Sequence, residues 1–226
     1  MHAVLALETS TPVCSVALKT GDKITSRSAV GTGIHSEHTF LFVQELLEHA
    51  GLQVHQLDAI VVSGGPGSYT GLRIASSAVK GMLFSGNTPL FAADTLASIA
   101  VSRLMSLKDG RSKRLHAVLN ARRTHLYHQT FLLNPQTGLQ PICNASVRGL
   151  ASIEGMFEQG DIVAGTGIGR LSADALAGYK IIQLENEDAL RAESLIEMVL
   201  NPVYSAWVKT EDPQFFEPLY GLEEEA

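Results

Sequence analysis

Two short turns in this sequence carry the residue types from which proteins build phosphate sites. Residues 8–11 read Glu-Thr-Ser-Thr between two apolar stretches, and residues 64–71 contain four glycines. Backbone N–H groups and hydroxyls in such turns can surround a phosphate, and a helix that begins at the turn adds unpaired N–H groups and a favourable dipole. Serine, threonine and glycine are also ordinary turn formers, so composition alone leaves both interpretations open.

The spacing of the glycine-rich turn argues against the two best-known phosphate loops. Gly71 is followed by Leu72 and Arg73 rather than by Lys and then Ser or Thr, so the Walker pattern fails. The dinucleotide pattern also fails, because Thr70 stands where its last glycine is required. Pro66 removes a further N–H donor. A tight strand-to-helix connection without a ligand is therefore an equal alternative.

The elements on either side of this turn are a buried strand over residues 58–62 and a helix over residues 72–85. The helix carries two stripes at helical spacing, one small and one apolar. The small stripe comprises Gly71, Ala75, Ala78 and Gly81 or Met82, and the apolar stripe comprises Leu72, Val79 and Leu83. Such a helix can pack on a sheet and admit a second helix at close range. The alternative is that both stripes are buried within one domain.

The helix predicted over residues 36–50, with Ser36 as its expected N-cap, is apolar around much of its circumference. Its apolar positions are Phe40, Leu41, Phe42, Val43, Leu46, Leu47 and Ala50. They spread wider than the stripe of roughly 100° that a single contact face needs, which favours one face on the sheet and one on a partner. His35 and His38 lie across the start of the helix, so we expect solvated polar residues there rather than metal ligands.

Bulk composition excludes several classes of protein. The 226 residues are 45% hydrophobic and 18% charged, which is typical of a globular chain. A net charge of −6 argues against an autonomous nucleic-acid-binding protein. Residues 1–7 are too short for a signal peptide and no apolar run reaches membrane-spanning length. With Cys14 and Cys143 expected to be reduced thiols, we predict a cytoplasmic protein that does not enter a membrane.

The order of elements predicts two related α/β lobes, residues 1–107 and 108–226, each with a mixed sheet flanked by helices. The first half reads as three strands followed by alternating helices and strands. The second half repeats that order more weakly: a hairpin at 115–133, a helix at 149–158, strands at 161–164 and 180–184 around a glycine-rich turn at 165–169, and a helix at 188–200. The tail could pack back on the first lobe, and we expect residues 223–225 to be frayed.

Three stretches together resemble a known family. They are Leu-Ala-Leu-Glu-Thr-Ser at residues 5–10, His-Ser-Glu at 35–37 and Gly-Pro-Gly-Ser-Tyr-Thr-Gly-Leu-Arg at 65–73. On these motifs the chain is similar to the bacterial TsaB family of the actin/sugar-kinase/Hsp70-like superfamily. The resemblance covers about the first hundred residues and is weaker afterwards, where residues 120–122 and 217–220 are the main similar segments. It implies a two-lobed fold of that superfamily.

The resemblance also implies a role in threonylcarbamoyl-adenosine synthesis beside the anticodon of tRNA. In that family the chain is a non-catalytic subunit that pairs with TsaD, the paralogue that transfers the threonylcarbamoyl group, and an ATPase, TsaE, joins the complex. Helices of the first lobe form the heterodimer, and the same surface permits a homodimer, so tRNA would be contacted indirectly through the complex. The interface residues expected on this basis are Phe40, Val43, Leu47, Ala75, Ala78 and Met82.

The resemblance further implies that the chain is a pseudoenzyme with no catalytic residue, metal or cofactor of its own. The catalytic paralogue holds a metal with a His-x-x-x-His pair, and the matching positions here are Thr95 and Ile99. Thr9 and Ser10 in the first turn, with Gly165 and Gly167 in the later one, would be vestigial nucleotide-binding residues. ATP or ADP would bind only weakly or at the partner interface. Asn120 and Thr124 depart from the family pattern, so that hairpin has no assigned role.

Three other hypotheses compete with this one. A stand-alone kinase or ATPase of the same superfamily would use the cleft between the lobes, and it predicts measurable ATP affinity and turnover by the isolated chain. A metallopeptidase is the least favoured, because the sequence offers neither a His-x-x-x-His pair nor a defensible Ser/His/Asp spacing. A homodimer without any other partner fits the same surface.

Overall fold

Two mixed β-sheets form the frame of the molecule. The structure is a computed structural model that describes residues 1–84, 86–107, 110–122, 124–179, 181–184 and 190–223. The first sheet has the strand order β12-β5-β4-β1-β2-β3. Its strands are β1 (Ala3–Glu8), β2 (Val13–Thr20), β3 (Lys23–Val30), β4 (Ala59–Ser63), β5 (Leu90–Ala93) and β12 (Val208–Glu211). Strands β1–β3 form the predicted antiparallel meander, and β4 and β5 add to β1 in parallel.

The second sheet repeats this order, as the sequence predicts. Its path is β11-β10-β6-β7-β8, with β6–β8 antiparallel and with β10 and β11 added in parallel. Its strands are β6 (Lys113–Arg122), β7 (His125–Asn134), β8 (Gly138–Pro141), β9 (Ser146–Gly149), β10 (Ile162–Ala164) and β11 (Ile182–Leu184), where β9 pairs with β7. Parallel strands joined through helices leave their carboxyl ends at one edge of each sheet, where α/β proteins usually bind ligands.

Helices fill three layers around the two sheets. Helices α1 (His35–Ala50) and α2 (Tyr69–Met82) cover the outer face of the first sheet. Helices α3 (Thr95–Ser106) and α6 (Ala192–Leu200) lie between the sheets, where α6 packs on the first sheet, α3 packs on the second, and the two pack together. The short helices α4 (Leu150–Glu154) and α5 (Ala173–Gly178) lie on the far side. None of the helices in the described ranges is long and apolar enough to cross a bilayer.

Several element boundaries differ from the sequence prediction. Helix α2 begins at Tyr69 rather than at residue 72, because Ser68 accepts a hydrogen bond from the Gly71 N–H and caps it. Ser36 lies inside α1, which follows Ile34 and has no side-chain cap. The sequence pattern did not indicate β8, β9, β12 or α5, and the helix predicted over residues 149–158 covers only Leu150–Glu154. The predicted start of the last helix at residue 188 lies outside the described residues.

The end of the chain returns to the first lobe and then crosses to the second. Strand β12 pairs antiparallel with β5, so it forms the edge of the first sheet. Residues 212–223 then run across both lobes, and we call them the C-terminal strap. The Glu223 carbonyl accepts a hydrogen bond of 3.0 Å from the Val147 N–H in β9. The expectation of a frayed end is therefore wrong for residue 223, and residues 224–226 lie outside the described ranges.

A buried polar cluster lies on the outer face of the second sheet, below Phe157. His116 Nε2 lies 2.9 Å from an Asp161 carboxylate oxygen, and His116 Nδ1 lies 3.1 Å from His128 Nε2. Because a carboxylate only accepts, His116 donates from Nε2, which leaves its Nδ1 as acceptor for His128 or for the Thr130 hydroxyl. Burial lowers the pKa of His128 to about 3 and also lowers the pKa of His116, although Asp161 opposes the latter shift.

This cluster predicts that the protein loses stability in mild acid. In the unfolded chain His128 takes up a proton near pH 6.5, whereas the folded protein keeps it neutral down to about pH 3. The free energy of unfolding should therefore fall as pH drops between those values, by about 2 kcal/mol from His128 alone between pH 7.5 and 5. Chemical denaturation of His128→Asn at both pH values should show a correspondingly smaller loss than the wild type.

The exposed His49 on α1 supplies a matched control, because His49→Asn removes an imidazole without touching the cluster. It should follow the wild-type dependence of stability on pH. Parallel curves for the wild type and His128→Asn would contradict the assignment of acid lability to the buried cluster.

Candidate partner-binding surface

The glycine-rich turn at residues 64–71 packs directly on the turn at residues 8–11. The Ser68 N–H donates to the Ser10 carbonyl at 2.7 Å, and the Thr9 hydroxyl donates to the Gly71 carbonyl at 2.9 Å. A Cβ at Gly67 would lie 2.5 Å from the Ser10 carbonyl oxygen, and a Cβ at Gly71 would overlap the Thr9 carbonyl oxygen. Glycine is therefore required here for close backbone approach rather than for a ligand.

This packing removes the first predicted phosphate turn. Thr9 and Ser10 are buried, and the groups that a phosphate would need bond within the protein instead. The N–H of Ser10 donates to a Glu8 carboxylate oxygen at 2.7 Å, and its hydroxyl donates to the same oxygen. These contacts occupy the donors of Thr9 and Ser10 within the protein, and the vestigial nucleotide-binding role of the two residues stays a prediction. Burial raises the pKa of the Glu8 carboxyl, and the Ser10 hydrogen bonds oppose that shift.

The second glycine-rich turn is filled in the same way. The Gly167 N–H donates to the Val118 carbonyl at 3.1 Å, and a Cβ at Gly165 would overlap that carbonyl oxygen. A Cβ at Gly167 would lie 2.9 Å from Leu126 Cδ2. Asn120, for which the sequence offered no role, donates through its side chain to the Thr166 carbonyl at 3.0 Å. Gly165 and Gly167 thus allow close packing in this structure, and their vestigial nucleotide-binding role stays a prediction.

The two positions that match the metal ligands of the catalytic paralogue lie in the interior. Thr95 and Ile99 are fully buried at the start of α3. Ile99 Cδ1 would lie 3.3 Å from a Cβ at Gly165, so the Ile99 side chain packs against the second glycine-rich turn. Within the described ranges, no group of three or more His, Cys, Asp or Glu residues is arranged to hold a metal ion.

The two histidines near the start of α1 serve structure. His35 is buried, contrary to the expectation of a solvated side chain, and its Nε2 lies 2.7 Å from the Thr11 carbonyl oxygen. His38 lies 3.2 Å from the Ile34 carbonyl oxygen through Nδ1. The bond from His35 connects α1 to the turn at residues 8–11.

The structure corrects the predicted partner interface on α1 and α2. Val43 and Leu47 are only 7% and 8% exposed, because α1 packs on β2 and on α2 at the same time. Ala75 and Ala78 are also buried, and Ala78 belongs to the core between these helices and the sheet. These four residues cannot contact a partner, so their assignment to the interface is wrong.

Phe40 and Met82 remain accessible to a partner. Phe40 is 53% exposed, and Met82 is half-buried at the end of α2. Phe40 lines a groove of about 330 Å³ between the outer faces of α1 and α2. The other residues that line this groove are Ser36, Tyr69, Thr70, Arg73, Ile74 and Ser77. We call this groove, together with Met82, the α1–α2 surface.

At one end of the α1–α2 surface, two tyrosine rings and an arginine side chain form a cluster that the sequence pattern did not indicate. Arg73 donates to the Tyr69 hydroxyl at 3.1 Å, and its guanidinium carbon lies 5.4 Å from the centre of the Tyr69 ring. The Tyr220 ring in the C-terminal strap lies 4.8 Å from the same ring. The spacing of Tyr69 and Arg73 by four residues would have indicated this pair, had the helix been predicted to begin at Tyr69.

Comparison with known proteins gives the same class as the topology. Two sheets with a repeated meander and parallel extension, separated by two helices, define an α/β protein of the actin/sugar-kinase/Hsp70-like fold. A family model described as TsaD, tRNA N6-adenosine threonylcarbamoyltransferase, matches residues 31–162, which is more than half of the 226 residues. The chain therefore belongs to this family.

Individual relatives of this chain carry the name TsaB, as the sequence motifs predicted. Proteins called tRNA threonylcarbamoyladenosine biosynthesis protein TsaB, from Haemophilus influenzae and Escherichia coli, are 29% and 27% identical over 55% of this chain. The chain spans about half the length of these relatives, 51% and 52%. The structure of YeaZ from Pseudomonas aeruginosa, 26% identical, superposes with a TM-score of 0.78 over 97% of this chain and 100% of that chain.

Two glycines of α2 provide a matched test of the packing argument. Gly71→Ala places a methyl group against the Thr9 backbone and should lower the free energy of unfolding by about 1–3 kcal/mol. Gly81→Ala meets no described atom within 4 Å and should raise it by about 0.5–1 kcal/mol, because alanine favours the helix. Denaturant titration of both variants measures the difference, and equal stabilities would contradict the proposed backbone contact.

Proposed function

We propose that this chain is a non-catalytic subunit that binds and supports a TsaD-type paralogue, which transfers a threonylcarbamoyl group to a tRNA adenosine beside the anticodon. The observation that carries the proposal is the α1–α2 surface. It combines an exposed Phe40, the half-buried Ile74 and Met82, and an aromatic pair with arginine. Aromatic residues, methionine and arginine are enriched in protein interfaces. The family membership and the TsaB relatives support the choice of partner.

The absence of catalysis by this chain is part of the proposal. Atoms of the chain itself fill both glycine-rich turns. Thr95 and Ile99 are buried and do not provide the ligands for a metal that would neutralise phosphate charge. We therefore propose that the chain has no nucleotide site of its own. ATP or ADP would bind only weakly or at the boundary with the partner.

The wider complex follows from the resemblance rather than from contacts within this chain. We propose that a TsaE-like ATPase joins the pair, and that the isolated chain self-associates through the same α1–α2 surface. The net charge of −6 favours contact with tRNA through the complex rather than through this chain alone. A tRNA-modifying assembly of this kind would work in the cytoplasm.

The stand-alone kinase or ATPase is not favoured. It would need an open phosphate site at the carboxyl ends of the strands, and the two turns that could form one are closed by their own packing. None of the relatives reported above is named as a kinase.

The proposal predicts that Ser77→Arg removes binding to the TsaD-type subunit of the same genome. Ser77 is exposed on the α1–α2 surface, so a long cation there should leave the fold intact while blocking close approach of a partner. We expect affinity, measured by calorimetry with the purified subunit, to fall at least about tenfold, which corresponds to about 1.4 kcal/mol. Ala78→Arg, which the sequence alone suggests as a probe, would instead bury a cation in the core.

Ser28→Arg serves as the control, because Ser28 is exposed on the edge strand β3, away from the α1–α2 surface. It should bind the TsaD-type subunit with wild-type affinity. Wild-type affinity of Ser77→Arg, with its fold confirmed by circular dichroism, would contradict the proposed function.

A further inference from the structure

The C-terminal strap is anchored to three separate parts of the molecule. Phe216 inserts into the core of the first lobe, where its carbonyl accepts a hydrogen bond of 3.3 Å from the Ser76 hydroxyl on α2. The Leu219 N–H donates to the Gly64 carbonyl at 2.8 Å. The Tyr220 carbonyl accepts a hydrogen bond of 3.2 Å from the Tyr127 hydroxyl in the second sheet. With the bond from Val147 to Glu223, the strap connects the two lobes.

The strap crosses at a defined place in the fold. Gly64 follows the carboxyl end of β4, and Tyr127 lies near the start of β7, which runs antiparallel to β6. Both therefore lie at the edge where the parallel strands of the two sheets end. Gly65, with φ of 100°, leaves room for the strap, because a Cβ there would overlap the Leu219 carbonyl oxygen. The glycine-rich turn is thus shaped on one side by residues 8–11 and on the other by the strap.

The strap is also continuous with the α1–α2 surface. Tyr69 and Arg73 line the groove, and the same Tyr69 ring contacts Tyr220. A partner bound in the groove would therefore contact the Tyr69 ring, which in turn contacts the Tyr220 ring of the strap. Anything that stabilises the Tyr69–Tyr220 pair also stabilises the bridge to the second lobe.

We propose that the strap couples partner docking to its own attachment across the two lobes, with Tyr220 as the residue through which the coupling acts. This inference rests on the proposed function, since the docking partner is the TsaD-type subunit at the α1–α2 surface. Coupling of this kind is reciprocal. The partner must strengthen the strap's attachment to the second lobe by the same factor by which an attached strap strengthens partner binding.

Tyr220→Ala tests the coupling. Loss of an aromatic pair should weaken binding of the TsaD-type subunit by about three- to tenfold. Tyr220→Phe keeps the ring and the carbonyl that the structure uses, so it should restore wild-type affinity. Phe215→Ala is the matched control, because Phe215 lies in the same strap and is 72% exposed. It should leave affinity unchanged.

Hydrogen exchange provides the second readout, at amides far from the groove. In the wild type, the TsaD-type subunit should slow exchange of the peptides that contain the Leu219 and Val147 N–H groups, and this protection should be lost in Tyr220→Ala. Unchanged affinity of Tyr220→Ala, or equal exchange of these peptides in the free and bound protein, overturns the inference. Ser77→Arg separates the two claims: if it loses binding while Tyr220→Ala does not, the coupling fails and the proposed function stands.

Discussion

Close contact between backbones at the glycine-rich turn is the constraint on which the rest of this structure depends. Gly67 and Gly71 lie against the turn at residues 8–11, and Gly65 lies against the C-terminal strap. A side chain at any of these positions would force the segments apart. The contact fixes where α2 begins, because Ser68, which caps the helix, is hydrogen-bonded to the turn below it. The positions of Tyr69 and Arg73 on the surface follow from that start.

The same contact fills the first turn that could have held a phosphate. The N–H and hydroxyl groups of Thr9 and Ser10, which a phosphate at this turn would need, already donate to partners within the protein. The corresponding turn of the second lobe is closed by Val118 and Leu126. Ile99 packs against Gly165 of the same turn. Both turns are thus filled by the chain's own packing, while Phe40, Leu41 and Tyr69 are exposed on the two outer helices.

The sequence predicted the architecture because both sheets are built from local signals. Alternation in β2 and short apolar runs in β1, β4, β5 and β10 identify strands, and glycines and prolines separate them. The interface residues were predicted less well for a physical reason. Helix α1 is apolar on two sides because it contacts both β2 and α2, so its wide apolar face did not require a partner. Small residues at Ala75 and Ala78 likewise serve packing within the chain.

The individual contacts of the strap could not be predicted, because they join residues far apart in sequence. Ser76 and Phe216, for example, are separated by 140 positions. Propensity and periodicity report on neighbours along the chain and carry no signal for such a pairing. The expectation of a frayed tail failed for that reason. The strap connects the α1–α2 surface, through the Tyr69–Tyr220 ring contact, to the second sheet.

The central claim, that the α1–α2 surface contacts a TsaD-type subunit, is tested most directly by site-specific photocrosslinking. A benzophenone amino acid placed at Phe40 should crosslink to the purified TsaD-type subunit, because Phe40 is exposed in the groove. The same group at Ile24, which is exposed on the edge strand β3, should not. Crosslinks from Ile24 but not from Phe40 would contradict the account.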